Sequence, residues 1–144
     1  MAEQDSDRHA LAAGSRILLI EDHADSAEAM IAVMQGARYR VRWARTAADA
    51  LVAYDRHDGP ERRSRPDLIL LDLTLPDKTG VQLVEELRRT KERVPPIVVI
   101  SAKPSQALKE DAGSIRAAGV LRKPFGIPEL LGLIGNVEVG APGL

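Results

Sequence analysis

Asp67-Leu68-Ile69-Leu70-Leu71-Asp72 is a short apolar run, strand-length and continuous, that stops abruptly at a carboxylate. Two others share its form: Arg16-Ile17-Leu18-Leu19-Ile20, followed by Glu21-Asp22, and Pro96-Ile97-Val98-Val99-Ile100, followed by Ser101. Continuous rather than alternating runs fit strands buried on both faces, the habit of parallel sheets. Two weaker candidates complete the set. Tyr39, Val41 and Trp43 alternate with Arg38, Arg40 and Arg42, which reads as a strand nearer an edge, and Val120-Leu121 after Gly119 makes a short fifth.

Helical spacing fills the gaps. Ala27, Met30, Ile31 and Met34 mark one buried face, with Gly36 suited to a C-terminal cap. Thr46 precedes a second helix with Ala47, Ala50, Leu51 and Tyr54 inward. Thr79 with Gln82 resembles a capping box before Leu83, Val84 and Leu87. Pro104 opens a fourth, weaker helix interrupted by Gly113, and Ile127, Leu130, Leu131 and Ile134 form the face of a fifth. The order is strand then helix, five times over, which predicts an α/β fold with a parallel sheet covered on both faces.

The totals agree with one domain. At 144 residues, 44% apolar and 28% charged, the chain has room for a single core. With 20 basic and 21 acidic side chains the net charge is −1, giving no pull toward nucleic acid or anionic membrane. Cysteine is absent, which excludes a disulfide framework and a thiolate site. Met1 to Gly14 lacks the apolar core of a signal peptide, and no run approaches the ~20 residues that span a bilayer. A cytoplasmic protein is expected, with residues 1–14 disordered, a domain over 15–137, and a flexible tail over 138–144. Arg56 to Pro66 reads as a long polar loop carrying four arginines.

In open α/β sheets, ligands sit outside the carboxyl ends of the strands. There the first strand presents Glu21-Asp22, the third Asp72, the fourth Ser101 and the fifth Lys123-Pro124. Taken singly, each has an ordinary structural reading: a helix-dipole pair, a strand-end cap, a turn serine, a solvated lysine. Their convergence at one sheet edge has none. Three carboxylates placed together repel, and a hard dication such as Mg2+ with oxygen ligands relieves them. Such an ion neutralises phosphoryl oxygens, and Lys123 and Ser101 can reach others. Asp72, alone at its strand end, is the candidate nucleophile for an acyl-phosphate product.

These residues carry a resemblance. Ile17-Leu18-Leu19-Ile20-Glu21-Asp22-His23, Pro66 through Asp72 to Pro76 and Gly80, Ile97 to Ser101-Ala102, and Lys123-Pro124-Phe125 together resemble the receiver domain of two-component response regulators, over about Arg16 to Val137. The resemblance implies a flavodoxin-like, CheY-like (βα)5 doubly wound fold, its five-stranded sheet in the order 2-1-3-4-5. It also implies that Asp72 takes phosphoryl from a phosphohistidine of a sensor histidine kinase or histidine phosphotransfer protein. Glu21, Asp22 and Asp72 would hold Mg2+, joined by the backbone carbonyl of Thr74. Ser101 would be the switch hydroxyl and Lys123 the phosphate-facing lysine, followed by a cis bond to Pro124. Thr74, Ala102 and Lys103 would flank the phosphate.

Two features depart from that pattern. Val120 stands where the family usually has the aromatic partner of the switch hydroxyl, and the basic 56–66 loop is longer than is typical. No DNA-binding or catalytic output segment follows the fifth helix, so a stand-alone regulator is expected. It would signal by protein contact or phosphotransfer, and the resemblance places such contacts, including a homodimer, on the fourth helix, fifth strand and fifth helix. It would turn over no external substrate, catalysing only its own phosphorylation and dephosphorylation. The alternatives are an interaction module regulated without phosphorylation, a dehalogenase-type phosphatase, which wants an aspartate where Thr74 stands, and a flavin binder, whose phosphate Glu21-Asp22 would repel.

Overall fold

Strand β3 (Leu68–Asp72) occupies the middle of the sheet because every one of its residues is buried. The computed structural model describes residues 8–55 and 65–140. Around β3 lie β1 (Arg16–Ile20), β2 (Arg40–Ala44), β4 (Ile97–Ser101) and β5 (Gly119–Arg122), all parallel, in the order β2-β1-β3-β4-β5. This is the expected 2-1-3-4-5 sheet. The alternating strand β2 is indeed at an edge.

Helices α1 (Ala24–Gly36), α2 (Ala47–Tyr54), α3 (Gly80–Thr90), α4 (Ser105–Ile115) and α5 (Ile127–Asn136) cover both faces. Successive strand residues point to opposite faces, and the two halves of the core divide accordingly. Leu18, Ile20, Ile69, Leu71 and Val99 pack with α2, α3 and α4. Ile17, Leu19, Leu68, Leu70, Val98 and Ile100 pack with α1 and α5. Each of these side chains contributes roughly 1.5–3 kcal/mol by leaving water. Doubly covered strands explain why the apolar runs are continuous.

Local signals set the helix starts. Thr46 Oγ1 accepts from Asp49 N–H, and Thr79 and Gln82 form a reciprocal capping box. Asp77 reaches across from the loop after β3, accepting from Ala47 N–H and Ala48 N–H at the start of α2. Gly80 is needed for close approach, since a Cβ there would lie 3.0 Å from the Cα of Leu73. The loop that follows Asp72 is thereby folded tightly back on the strand end.

Several expectations are corrected. Gly113 does not interrupt α4, which continues to Ile115 and ends with Arg116 in the left-handed region. After α1 the left-handed residue is Arg38, with φ 72°, rather than Gly36. Ile127 is exposed, and the buried face of α5 begins at Leu130. The ends differ most. Arg8–Ala10 pairs antiparallel with Glu138–Gly140, so disorder over 1–14 and a free tail over 138–144 do not describe those residues. The pairing satisfies backbone groups of both ends, and Leu11 and Val137 are buried beside it. Residues 1–7, 141–144 and most of the arginine-rich loop (56–64) lie outside the described residues. Of that loop's arginines, Arg65 is described and donates to the Arg93 carbonyl.

Tyr54 supplies a pH signature for the α2–α3 side of the core. Its hydroxyl donates to the Arg93 carbonyl. Burial is the main reason its pKa is pushed up to about 12, with Arg65 opposing and Asp55 adding. The unfolded chain ionises first, near pH ~10, so the stability held below that pH is lost as pH rises toward the folded value. Urea unfolding is expected to show a loss of roughly 2–3 kcal/mol across that window in the wild type and none from this source in Tyr54→Phe.

Candidate functional site

The carboxyl edge of the sheet gathers residues from four strand ends. Glu21 follows β1, and its N–H is tied to the Ala44 carbonyl at the end of β2. The side chain of Glu21 is fully buried, and Asp72, the last residue of β3, is nearly so. Lys123 follows β5, where its N–H donates to the Ser101 carbonyl. Its ammonium bridges the two carboxylates, 2.6 Å from Glu21 Oε1 and 3.1 Å from Asp72 Oδ2. The other oxygen of Asp72, Oδ1, accepts from Thr74 N–H at 2.8 Å. Asp72 is therefore held on both oxygens, facing out of the strand end.

Ser101 is buried at the end of β4, the strand beside Asp72, and its Oγ accepts from Lys103 N–H at 2.9 Å. Lys103 turns its ammonium to Asp111 on α4, 2.8 Å away. Thr74 and Ala102 are exposed at the rim. Val120 is exposed on β5, 43% accessible. The Lys123–Pro124 bond is cis, as the resemblance implies.

The electrostatics are those of crowded acids. Burial, first, and the neighbouring Asp72 carboxylate raise the pKa of Glu21, while Lys123 and the His23 N–H pull it back. Burial works against the Lys123 ammonium, yet its bonds to Glu21 and Asp72 outweigh that and raise its pKa. One ammonium faces the carboxylates of Glu21, Asp22 and Asp72, so negative charge is in excess. Asp22 Oδ1 is buried and accepts no hydrogen bond among the described residues. One donor atom from each of Glu21, Asp22, His23 and Asp72 lies within 4.8 Å of the others. Excess charge, an orphaned oxygen and an oxygen-rich donor set fit a hard dication.

The family model for the response regulator receiver domain matches residues 17–135. The chain belongs to the response regulator receiver domain family. Receiver domains are the phosphorylatable parts of response regulators and interact with histidine kinases. This receiver is 38% identical over 122 residues to the alkaline phosphatase synthesis transcriptional regulatory protein SphR of Synechococcus elongatus, covering 81% of this chain and 46% of that one. It is 32% identical over 116 residues to the KDP operon transcriptional regulatory protein KdpE of Escherichia coli, covering 81% and 48%. The chain thus spans about half the length of the curated relatives it matches. Among solved structures, chemotaxis response regulator CheY4 of Vibrio cholerae superposes with a TM-score of 0.75 at 25% identity, over 86% of this chain and 98% of that one. The receiver domain of HemR from Leptospira biflexa gives 0.70 at 31%, over 85% and 93%. The fold is the CheY-like flavodoxin fold.

Two residues at this receiver's site escaped the sequence reading. His23 sits against the acids, and the only signal for it is its place directly after Glu21-Asp22. Trp43, read only as a strand residue, donates its indole N–H to the Glu21 backbone carbonyl at 2.8 Å, with Arg45 stacked 5.0 Å from the ring. The indole thus fixes the turn that presents the acids. Trp43→Phe keeps the ring and removes the donor, leaving that carbonyl short of a partner. Urea unfolding is expected to show a loss of about 1 kcal/mol.

Proposed function

We propose that this receiver accepts a phosphoryl group on Asp72 from the phosphohistidine of a sensor kinase or histidine phosphotransfer protein. The observation that carries this is the placement of Asp72: at the end of the central strand, nearly buried, held on Oδ1 by Thr74 N–H and on Oδ2 by Lys123. In the transfer, the P–N bond of the donor breaks as an O–P bond to Asp72 forms, and the leaving imidazole keeps the bonding pair. Glu21, Asp22 and Asp72, with the Thr74 carbonyl, would hold Mg2+. When bound, that ion supplies positive charge to phosphoryl oxygens that become more negative in the transition state.

The chain's own groups do the rest. Lys123 is held as an ammonium, ready to follow a phosphoryl oxygen once Asp72 is esterified. Ser101 Oγ, one strand over, carries a hydroxyl proton that can turn toward another. The Lys103–Asp111 pair keeps a second ammonium beside the pocket. The protein acts on itself, and its output passes through protein contacts in the cytoplasm. Val120 and Ile127, both exposed, give the face formed by α4, β5 and α5 apolar surface for such a partner or a second copy.

The test is incubation with acetyl phosphate, with and without Mg2+, followed by hydroxylamine treatment. Label that forms only with Mg2+ and is released by hydroxylamine is the expected acyl phosphate. Label that resists hydroxylamine, or forms equally in EDTA, would contradict it. Val120 favours one second reading, an interaction module that works without phosphorylation. Complete absence of label under every condition would select it.

A further inference from the structure

Helix α2 is shorter than the strands it covers. Its eight residues reach about 12 Å, while the five-residue strands β1 and β2 run about 16 Å. It starts at the carboxyl edge of the sheet, so the shortfall lies at the amino edge, the pole opposite Asp72. A cavity of about 130 Å3 opens there, lined by Arg16, Arg40 and Arg42 together with Leu18, Ala53 and Pro66. Among the described residues that line it there are three arginines and no acid.

The register explains why the arginines converge. Side chains alternate along a strand, so Arg16 and Leu18 of β1 share a face with Arg40 and Arg42 of β2. That is the face α2 packs on, since Leu18 and Ala44 lie in the same half of the core as Ala47, Ala50 and Tyr54. Arg16 stands opposite Arg40, and like charges so placed cost free energy. An anion between them offsets that cost. Arg42 is tied to the end of α2, its Nη1 donating to the Ala53 carbonyl at 2.6 Å. A guanidinium carries five N–H donors in a planar fork, so it can hold a protein contact and an oxyanion together.

The rest of the lining is apolar, and the volume sets the size of what enters. An aliphatic cavity of about 150 Å3 takes benzene, whereas drug-sized ligands need about 300–1,000 Å3. One ring suits this space. We propose that the cavity at the amino pole is a ligand site, taking a small organic oxyanion, a phosphate monoester or a carboxylate, with an apolar body of about one ring. The proposal stands apart from the chemistry of Asp72, and no divalent ion enters it.

Binding is measured by calorimetry on the full chain in EDTA with phenyl phosphate, benzoate, inorganic phosphate and benzyl alcohol. Phenyl phosphate or benzoate is expected to bind at least about tenfold more tightly than inorganic phosphate or benzyl alcohol, since each of the latter lacks one half of the match. Which of the two binds more tightly tells a phosphate site from a carboxylate site. Arg42→Met, which removes a guanidinium, and Ala53→Leu, which fills the cavity and keeps all three, are each expected to weaken the better ligand by about tenfold or more. Arg89→Met, an exposed arginine in the last turn of α3, is expected to change it by less than about twofold. Amide NMR shifts in the wild type, expected at Leu18, Arg42 and Ala53, give a readout that needs no variant.

No binding of either ring-bearing anion would overturn the proposal. Equal binding of inorganic phosphate and phenyl phosphate, or an equal loss in Arg89→Met, would overturn it by showing attraction to positive charge in general. Binding unchanged in Ala53→Leu, or amide shifts confined to Glu21, Asp72 and Lys123, would overturn it by placing the ligand elsewhere.

Discussion

Asp72→Asn is expected to abolish phosphorylation, lowering the rate of labelling by at least about three orders of magnitude, the scale on which loss of a covalent nucleophile acts. The substitution keeps the shape and one of the two contacts seen at this position, since an amide NH2 cannot accept from the Lys123 ammonium. An amide oxygen can still accept from Thr74 N–H, and the rest of β3 is untouched. It removes the attacking carboxylate and one of the crowded negative charges. Because the Asp72 carboxylate helps raise the pKa of Glu21, the variant should hold Glu21 ionised more readily. Stability at neutral pH is therefore expected to stay the same or rise slightly, while Mg2+ affinity falls through loss of a ligand. Urea unfolding and labelling read on one preparation separate the two effects. A variant that is unfolded, or one that labels at the wild-type rate, would contradict this account of Asp72.

Lys123→Met has the second largest expected effect, and it falls on stability as well as signalling. Lys123 is the sole ammonium seen bridging Glu21 and Asp72 among the described residues. Its loss leaves a fully buried Glu21 carboxylate beside Asp72 with no opposing cation at hydrogen-bonding distance. The expected destabilisation at neutral pH without divalent ions is about 2–3 kcal/mol, somewhat under the ~3–5 kcal/mol of a fully buried pair because the ammonium is partly solvated. The sign of its pH dependence follows from Glu21. A carboxyl whose folded pKa is raised holds its stability below the unfolded value and loses it as pH rises through the folded one. Removing Lys123 takes away the main influence holding that pKa down, so the deficit should be small near pH 5 and full at pH 8. Saturating Mg2+ should recover part of it, since an ion bound to the folded state alone stabilises by mass action. Urea midpoints at both pH values, with and without Mg2+, check this. A deficit that is the same under all four conditions would indicate lost packing and not lost charge.

Much of this was legible in the chain because a doubly covered parallel sheet writes itself plainly. Leu68 to Leu71 has no polar face to show, and an abrupt stop at Asp72 marks the carboxyl end where the chemistry gathers. Glu21, Asp22, Asp72, Ser101 and Lys123 were placed by that register alone, and the structure brings them to one edge. What was not legible depends on contacts without a local period. The pairing of Arg8–Ala10 with Glu138–Gly140 joins opposite ends of the chain through backbone groups, which carry no side-chain signature. Arg38, rather than Gly36, takes the left-handed turn because α1 runs to Gly36 before the chain reverses. Trp43 reads as a strand residue until its indole is seen on Glu21. Ile127 fits a helical face by spacing, yet the buried part of that face begins at Leu130. His23 is of the same kind, since its place against the acids lies in where its ring turns.

The measurement that tests the central claim most directly is locating the phosphoryl group in the chain. The receiver is incubated with acetyl phosphate and Mg2+, its intact mass is read, and borohydride then reduces any aspartyl phosphate to homoserine before peptide mapping. A gain of about 80 Da per chain, with homoserine found at position 72, is the predicted result. A phosphoryl group mapped to any other residue, with Asp72 recovered unchanged, would contradict the account.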